Sequence, residues 1–351
     1  MTAATTPSER VRLGYVPALD GLRGIAILLV LFWHAGVLPR GSGHAGVTLF
    51  FVLSGYLITR LLIEEREAHG RIDLLAFYRR RILRLFPALV AVGLAVSAWY
   101  AVSGSAHLIA ADVGAAWLYV TNFMIIAGHD QGVMAHAWTL SIEEHFYLLW
   151  PAFLILVIAR WPIAGIVGLL IYIGVVAVVH VLFWSPDTHH LLHKGTPLRL
   201  DALLLGCLLA LRPQRFGILT LAVAIGGIGL VAVSRDEAGM IRFALTAAAL
   251  SSVVLVSWAA TRPRTPLAWG PLVGMGKVSY GAYLWHAPLF ALVAPQLIDL
   301  GLPSVARAAL LVPLAIIVAV ASYRWIELPF LRRKRASPRR RPLPSNEPSP
   351  S

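Results

Sequence analysis

Arg23 and His34 lie eleven residues apart in an apolar stretch, and at 100° per residue this returns both to one face of a helix, with the imidazole about 16 Å further along the axis. Such a pair joins an anion-gripping guanidinium to a group that can take up a proton near neutral pH. Asp20, three residues before Arg23, can brace it as an i, i+3 partner. A plainer arrangement fits the same spacing: an arginine that snorkels to the lipid interface and a histidine hydrogen-bonded to a neighbouring helix.

The segment Phe77-Tyr78-Arg79-Arg80-Arg81-Ile82-Leu83-Arg84 mixes arginines with apolar anchors. Arginine bonds phosphate in bidentate fashion and is weakly hydrated, so the segment can clamp a polyphosphate at a membrane surface or serve as a positively charged anchor. In Trp138-Thr139-Leu140-Ser141-Ile142-Glu143-Glu144, Ser141 and Glu144 have capping-box spacing. That predicts a helix starting at Ser141 on the outer face and leaves Glu143 in its first turn, free to orient a sugar hydroxyl or pair with a histidine. Arg199 and Asp201 fit either a structural ion pair or contacts to a polar acceptor. Ser279, Tyr283 and His286, at i, i+4 and i+7, form one polar stripe that must face a cavity or another helix. Arg324 and Glu327 have the spacing of a structural i, i+3 pair. No nucleophile elbow, Walker loop, zinc-ligand cluster or dinucleotide fingerprint stands out, so the chemistry is expected from scattered polar groups and without a metal.

These residues are set in a chain of 351 residues that is 58% hydrophobic and 13% charged, with a mean hydropathy of +0.74. That is too apolar for a soluble domain and predicts an all-α integral membrane protein. The net charge of +13 is carried in short runs between apolar segments, which argues against a nucleic-acid partner and for membrane lipids or a phosphorylated ligand. Cys207 sits alone in an apolar run, so an intrachain disulfide is excluded and a buried, inert thiol is expected. Apolar runs at about 22–39, 46–63, 85–103, 143–159, 163–184, 200–211, 216–234, 242–260, 279–297 and 306–327 predict a bundle of about ten transmembrane helices. The stretch 107–127 is apolar enough to be another. Counting it as a crossing would place the basic tail outside, so it is expected to lie on or dip into the outer face, with both termini cytoplasmic. The expected division is a cytoplasmic segment 1–14, a transmembrane domain 15–331 and a basic, Pro/Ser-rich disordered tail 332–351.

In order along the chain, Asp20-Gly21-Leu22-Arg23 with His34, Leu49 to Ile58, Arg80-Arg81-x-x-Arg84, Trp138 to Tyr147, Arg199-x-Asp201, Ser279-Tyr280 to His286 and Glu327-x-Pro329 resemble the bacterial membrane acyltransferase family 3. Members of that family O-acylate surface polysaccharides, lipopolysaccharide O-antigen, peptidoglycan or macrolides. The resemblance implies a bacterial inner-membrane enzyme that takes an acyl group, expected to be acetyl, from cytoplasmic acyl-CoA. The acceptor would be a glycan, lipid-linked sugar or macrolide. Arg80, Arg81 and Arg84, with help from Arg23, would hold the CoA phosphates; His34 would act as general base or carry the acyl group covalently, with Arg23 and Glu143 completing the catalytic group. Glu143, Arg199 and Asp201 would position the acceptor, with Asp20, Ser279, Tyr283 and His286 also binding substrate. Thr48 stands where many members look acidic. The esterase-like domain that some members append is not seen, so a separate periplasmic or extracellular acyl-transfer partner is a further expectation. The rival readings are a transporter or flippase of an acyl group or lipid-linked sugar, and a scaffold without chemistry.

Overall fold

The computed structural model describes residues 14–129, 132–262 and 264–336. Helix α1 (Pro17–His34) opens on a proline, whose missing N–H costs nothing in a first turn, and stops before Gly36, which takes φ 79. Helix α2 (Arg40–His69) ends on Gly70 in the left-handed region, its N–H bonded to the Arg66 carbonyl at 2.8 Å. Asp73 then caps α3 (Leu74–Val102) by accepting from the Ala76 N–H at 2.9 Å. This tight reversal sets the charged end of α2 beside the arginine-rich start of α3, where Arg80 pairs with Glu65 at 2.7 Å.

Among the described residues, seven helices are long and apolar enough to cross a membrane: α1, α2, α3, and those covering 135–158, 162–183, 237–261 and 304–332. The other expected runs are also helical, as Thr196–Leu211, Ile218–Val233 and Ser279–Asp299. The chain is a multi-pass membrane protein. The stretch 107–127 breaks into Ile109–Gly114, Ala115–Trp117 and Thr121–Ile126, with Tyr119 at φ 56 in the bend. No piece approaches the ~20 residues of a crossing. Asp112 ties this connector to α3, accepting from the Tyr100 hydroxyl at 2.6 Å and from the Met134 N–H at 3.0 Å.

Two expectations about local structure are corrected. A 3-10 turn, Ala135–Ala137, runs directly into the helix Trp138–Phe153, so Ser141 is already inside it and donates to the Ala137 carbonyl at 3.3 Å instead of capping. A π-turn at Tyr323–Glu327 shifts the register between the last two helices, so Arg324 is exposed while Glu327 is buried and the expected pair does not form. The final helix continues to Ala336. The rest of the expected tail, 337–351, and all but the last residue of the expected N-terminal segment lie outside the described residues.

The centre of the bundle depends on close backbone approach. A Cβ at Gly21 or Gly24 of α1 would overlap the carbonyl of Leu267 or Leu272, and one at Gly276 would overlap that of Asp20. Gly55 of α2 and Gly206 meet the carbonyls of Leu203 and Val52 in the same way. Small residues at these crossings let van der Waals packing hold helices that lipid does not push together, and they fix α1 and α2 against their neighbours.

Candidate active site

On α2, Phe50, Ser54, Leu57, Leu61 and Glu64 recur every three or four residues and therefore share one face. That face lines a cavity of about 380 Å³. Asp20 and Arg23 of α1, and Arg80, Arg81 and Arg84 of α3, form further walls. Thr139, Glu143 and Tyr147 enter from the Trp138 helix, and Ser279 and Tyr283 from the Ser279 helix. Eight of the residues singled out in the sequence thus meet around one space: Asp20, Arg23, Arg80, Arg81, Arg84, Glu143, Ser279 and Tyr283. A side lobe of about 200 Å³ shares Arg23 and Arg84 and adds Lys277 and Glu327.

The arginines are held differently. Arg23 donates to Ser279 Oγ at 3.0 Å and to the Gly276 carbonyl at 3.5 Å, so helix packing fixes it where an Asp20 brace was expected. Arg81 stacks 3.5 Å from the centroid of Tyr147, and its Nε has no hydrogen-bond partner. Arg80 is engaged by Glu65, and Arg60, which the sequence reading passed over, pairs with Glu64 at 3.2 Å on the cavity wall. Glu143 accepts a 2.6 Å hydrogen bond from Ser54. It lies among the arginines and not at an outer acceptor site as expected, because the helix begins at Trp138 and carries Glu143 more than a turn inside.

His34 does not line this cavity. The cavity ends on Tyr283 and Thr139, whose hydroxyls are 2.7 Å apart, with the Tyr283 hydroxyl donating to the His136 carbonyl at 2.7 Å. Beyond this floor lie His286 and then His34, their ring centroids 4.7 Å apart, with Trp33 3.9 Å from His34. The α1 face predicted from spacing is present, since Arg23 meets Ser279 and His34 meets His286 on one neighbouring helix. The arginine cavity therefore reaches Arg23 at one end of this face and stops short of His34 at the other.

Arg199 and Asp201 are both buried, with Arg199 Nη1 4.0 Å from Asp201 Oδ1 and the guanidinium 5.7 Å from the Phe51 centroid. Phe51 lines the arginine cavity and Arg199 does not. Arg199 Nε and Nη1 and Asp201 Oδ1 have no hydrogen-bond partner, which leaves polar capacity unused behind that wall. Thr48 is fully buried with its hydroxyl also unpartnered. Sequence reasoning gave no individual role to Ser54, Arg60, Tyr147 and His136, although Ser54 and Tyr147 lie inside the family-like segments. The signal for the first two was present, as polar residues interrupting an otherwise apolar helix face.

The fold and site define a multi-pass membrane helical bundle that gathers arginines and a carboxylate around one cavity, with two imidazoles near its inner end. The chain belongs to the acyltransferase 3 family, whose model, described as an acyltransferase domain, matches residues 16–324. It is 33% identical over 350 residues to the peptidoglycan O-acetyltransferase OatA of Listeria monocytogenes, an alignment covering 90% of this chain and 56% of that protein. It is 32% identical over 351 residues to the O-acetyltransferase OatA of Staphylococcus aureus, covering 91% and 58%. The chain spans a little over half the length of these relatives. No solved structure matches it.

Proposed function

We propose that the protein is a membrane O-acetyltransferase that draws acetyl groups from acetyl-CoA through the arginine cavity and delivers them to a hydroxyl of a cell-wall glycan, with peptidoglycan the first candidate. The observation that carries this reading is the convergence of Arg23, Arg81 and Arg84 on one cavity with apolar walls. The Arg81 guanidinium on the cavity wall supplies donors for phosphate, and Phe50, Leu57 and Tyr147 suit the apolar arm behind it. The cavity is lined at one end by the start of α1 and by residues beside the α2–α3 reversal, and in this reading that basic-rich end faces the cytoplasm of a bacterial inner membrane. The names of the two relatives favour a glycan acceptor.

In this mechanism the guanidinium groups fix the CoA phosphates at the mouth while the thioester arm runs inward past Ser54 and Glu143. Once Tyr283 and Thr139 part, the thioester carbonyl meets His34, which removes the proton from the acceptor hydroxyl as its oxygen attacks. The C–S bond then breaks and the CoA thiolate leaves through the cavity. The test is purified protein in lipid nanodiscs given labelled acetyl-CoA and peptidoglycan fragments. Acceptor-dependent thiol release is expected from the wild type and its loss from His34→Ala. Full transfer by a monodisperse His34→Ala protein overturns the role of the base, and absence of acetyl-CoA consumption by the wild type overturns the reading as a whole.

A further inference from the structure

Beside His34 stand two more imidazoles that do not line the arginine cavity. His286 is fully buried and His136 nearly so. The ring centroids follow one another at 4.7 Å from His34 to His286 and 5.2 Å from His286 to His136. Their hydrogen bonds fix their protons: His34 Nδ1 lies 3.0 Å from the Val30 carbonyl and His286 Nδ1 lies 2.7 Å from the Tyr283 carbonyl. A carbonyl only accepts, so each Nδ1 carries a hydrogen and each Nε2 is left with a bare lone pair. On His286 and on His136 that Nε2 is buried and unpartnered, an uncommon condition that calls for a use.

His136 is surrounded by acceptors. Its Nδ1 is 3.2 Å from the Val133 carbonyl, and the Tyr283 and Leu284 carbonyls also bear on the ring. Leu284 is free to do so because Pro288, four residues on, has no N–H to bond it. Those carbonyls offer acceptors to a ring N–H. The other rings around His286 belong to Tyr283 and Phe290, at 5.5 and 5.8 Å.

We propose that His286 and His136 form a buried proton relay beside His34, acting through it as positioning residues that receive the proton it removes. The proposal rests on His34 being the base. As the acceptor O–H bond breaks and the O–C bond to the acyl group forms, the proton passes to His34 Nε2, and the C–S electron pair departs with the CoA thiolate. His34 hands the proton to the bare Nε2 of His286, which shares it with His136. His34 is thereby neutral again before the new ester leaves, and the proton cannot return to the ester oxygen. It later escapes to water through the exposed face of His34, and the thiolate takes a proton from water at the cavity mouth.

The test compares His286→Gln, His286→Leu and His286→Ala in nanodiscs, measuring kcat and the KM for acetyl-CoA with and without added imidazole. Glutamine can accept a hydrogen bond but cannot carry the proton. Both His286→Gln and His286→Leu are therefore expected to lower kcat on the order of 10²-fold, with KM within about twofold of wild type because the donor cavity is intact. Imidazole should restore part of the kcat of His286→Ala. Wild-type kcat in His286→Gln overturns the relay, as does a loss that comes with a large rise in KM and no response to imidazole, which marks a structural role. Retained transfer in His34→Ala removes the base itself, whereas a dead His34→Ala beside a normal His286→Gln removes only the relay.

Discussion

Replacing Arg81 with alanine isolates the donor-binding step. Its guanidinium is half-buried on the cavity wall, stacks on Tyr147 at 3.5 Å and keeps an unpartnered Nε. The Tyr147 stack exists before a donor arrives, so its loss lowers stability and leaves affinity alone. What affinity loses is the charge-assisted bonding to phosphate, about 1.5–3 kcal/mol, and at 1.4 kcal/mol per decade this is roughly a 10- to 150-fold rise in KM for acetyl-CoA. The phosphates are remote from the reacting carbonyl, so kcat should change little, the signature of lost uniform binding. Arg81→Lys keeps the charge without the planar fork and should fall between. Arg80 is already committed to Glu65 at 2.7 Å, so Arg80→Ala should raise KM by less than about fivefold, the scale of an exposed ion pair. The assay is thiol release against acetyl-CoA concentration at saturating acceptor. An unchanged KM in Arg81→Ala, or a larger effect from Arg80→Ala, refutes the assignment of the phosphate grip to Arg81.

Tyr283→Phe removes the hydroxyl that joins Thr139 to the His136 carbonyl; the floor of the cavity should leak, and acceptor-independent thiol release should rise relative to transfer, whereas an unchanged ratio shows that the floor does not seal the donor. Gly276→Ala forces a Cβ into the Asp20 carbonyl, and despite alanine's better helix propensity it should cost about 1–3 kcal/mol, read as a lower apparent thermal midpoint; a midpoint at or above wild type contradicts the close seam between α1 and Gly270–Lys277. Lys194, in the short helix His189–Lys194, is pushed down to about 8 by burial and then by Arg40, against the pull of Glu237. Its ammonium should therefore lose its proton near pH 8, and amine-directed labelling of its peptide should reach half-maximum there, not near the ~10.4 of a free lysine.

How far the site could be read from sequence depended on whether helical period held. Arg23 and His34 kept it, and eleven residues of regular helix place them on Ser279 and His286. The arginines of α3 are likewise regular from the Asp73 cap onward, so Arg81 and Arg84 arrive together at the cavity. Glu143 was misplaced because a capping-box pattern marked a helix start that the preceding 3-10 turn had already made at Trp138. The Arg324–Glu327 pair failed because a π-turn carries no sequence signal that spacing can detect. His136 and the Tyr283 floor were hidden for another reason: they depend on carbonyls and hydroxyls brought together by packing of distant helices, which periodicity along one helix does not report.

The most direct measurement is a structure of the protein in lipid nanodiscs with a non-transferable acetyl-CoA analogue. The account predicts phosphate groups within hydrogen-bond distance of Arg81 and Arg84, and the acyl arm lying between Phe50 and Tyr147 with its end at Tyr283. An analogue bound elsewhere, with Arg81 still stacked on Tyr147 beside an empty cavity, would contradict it.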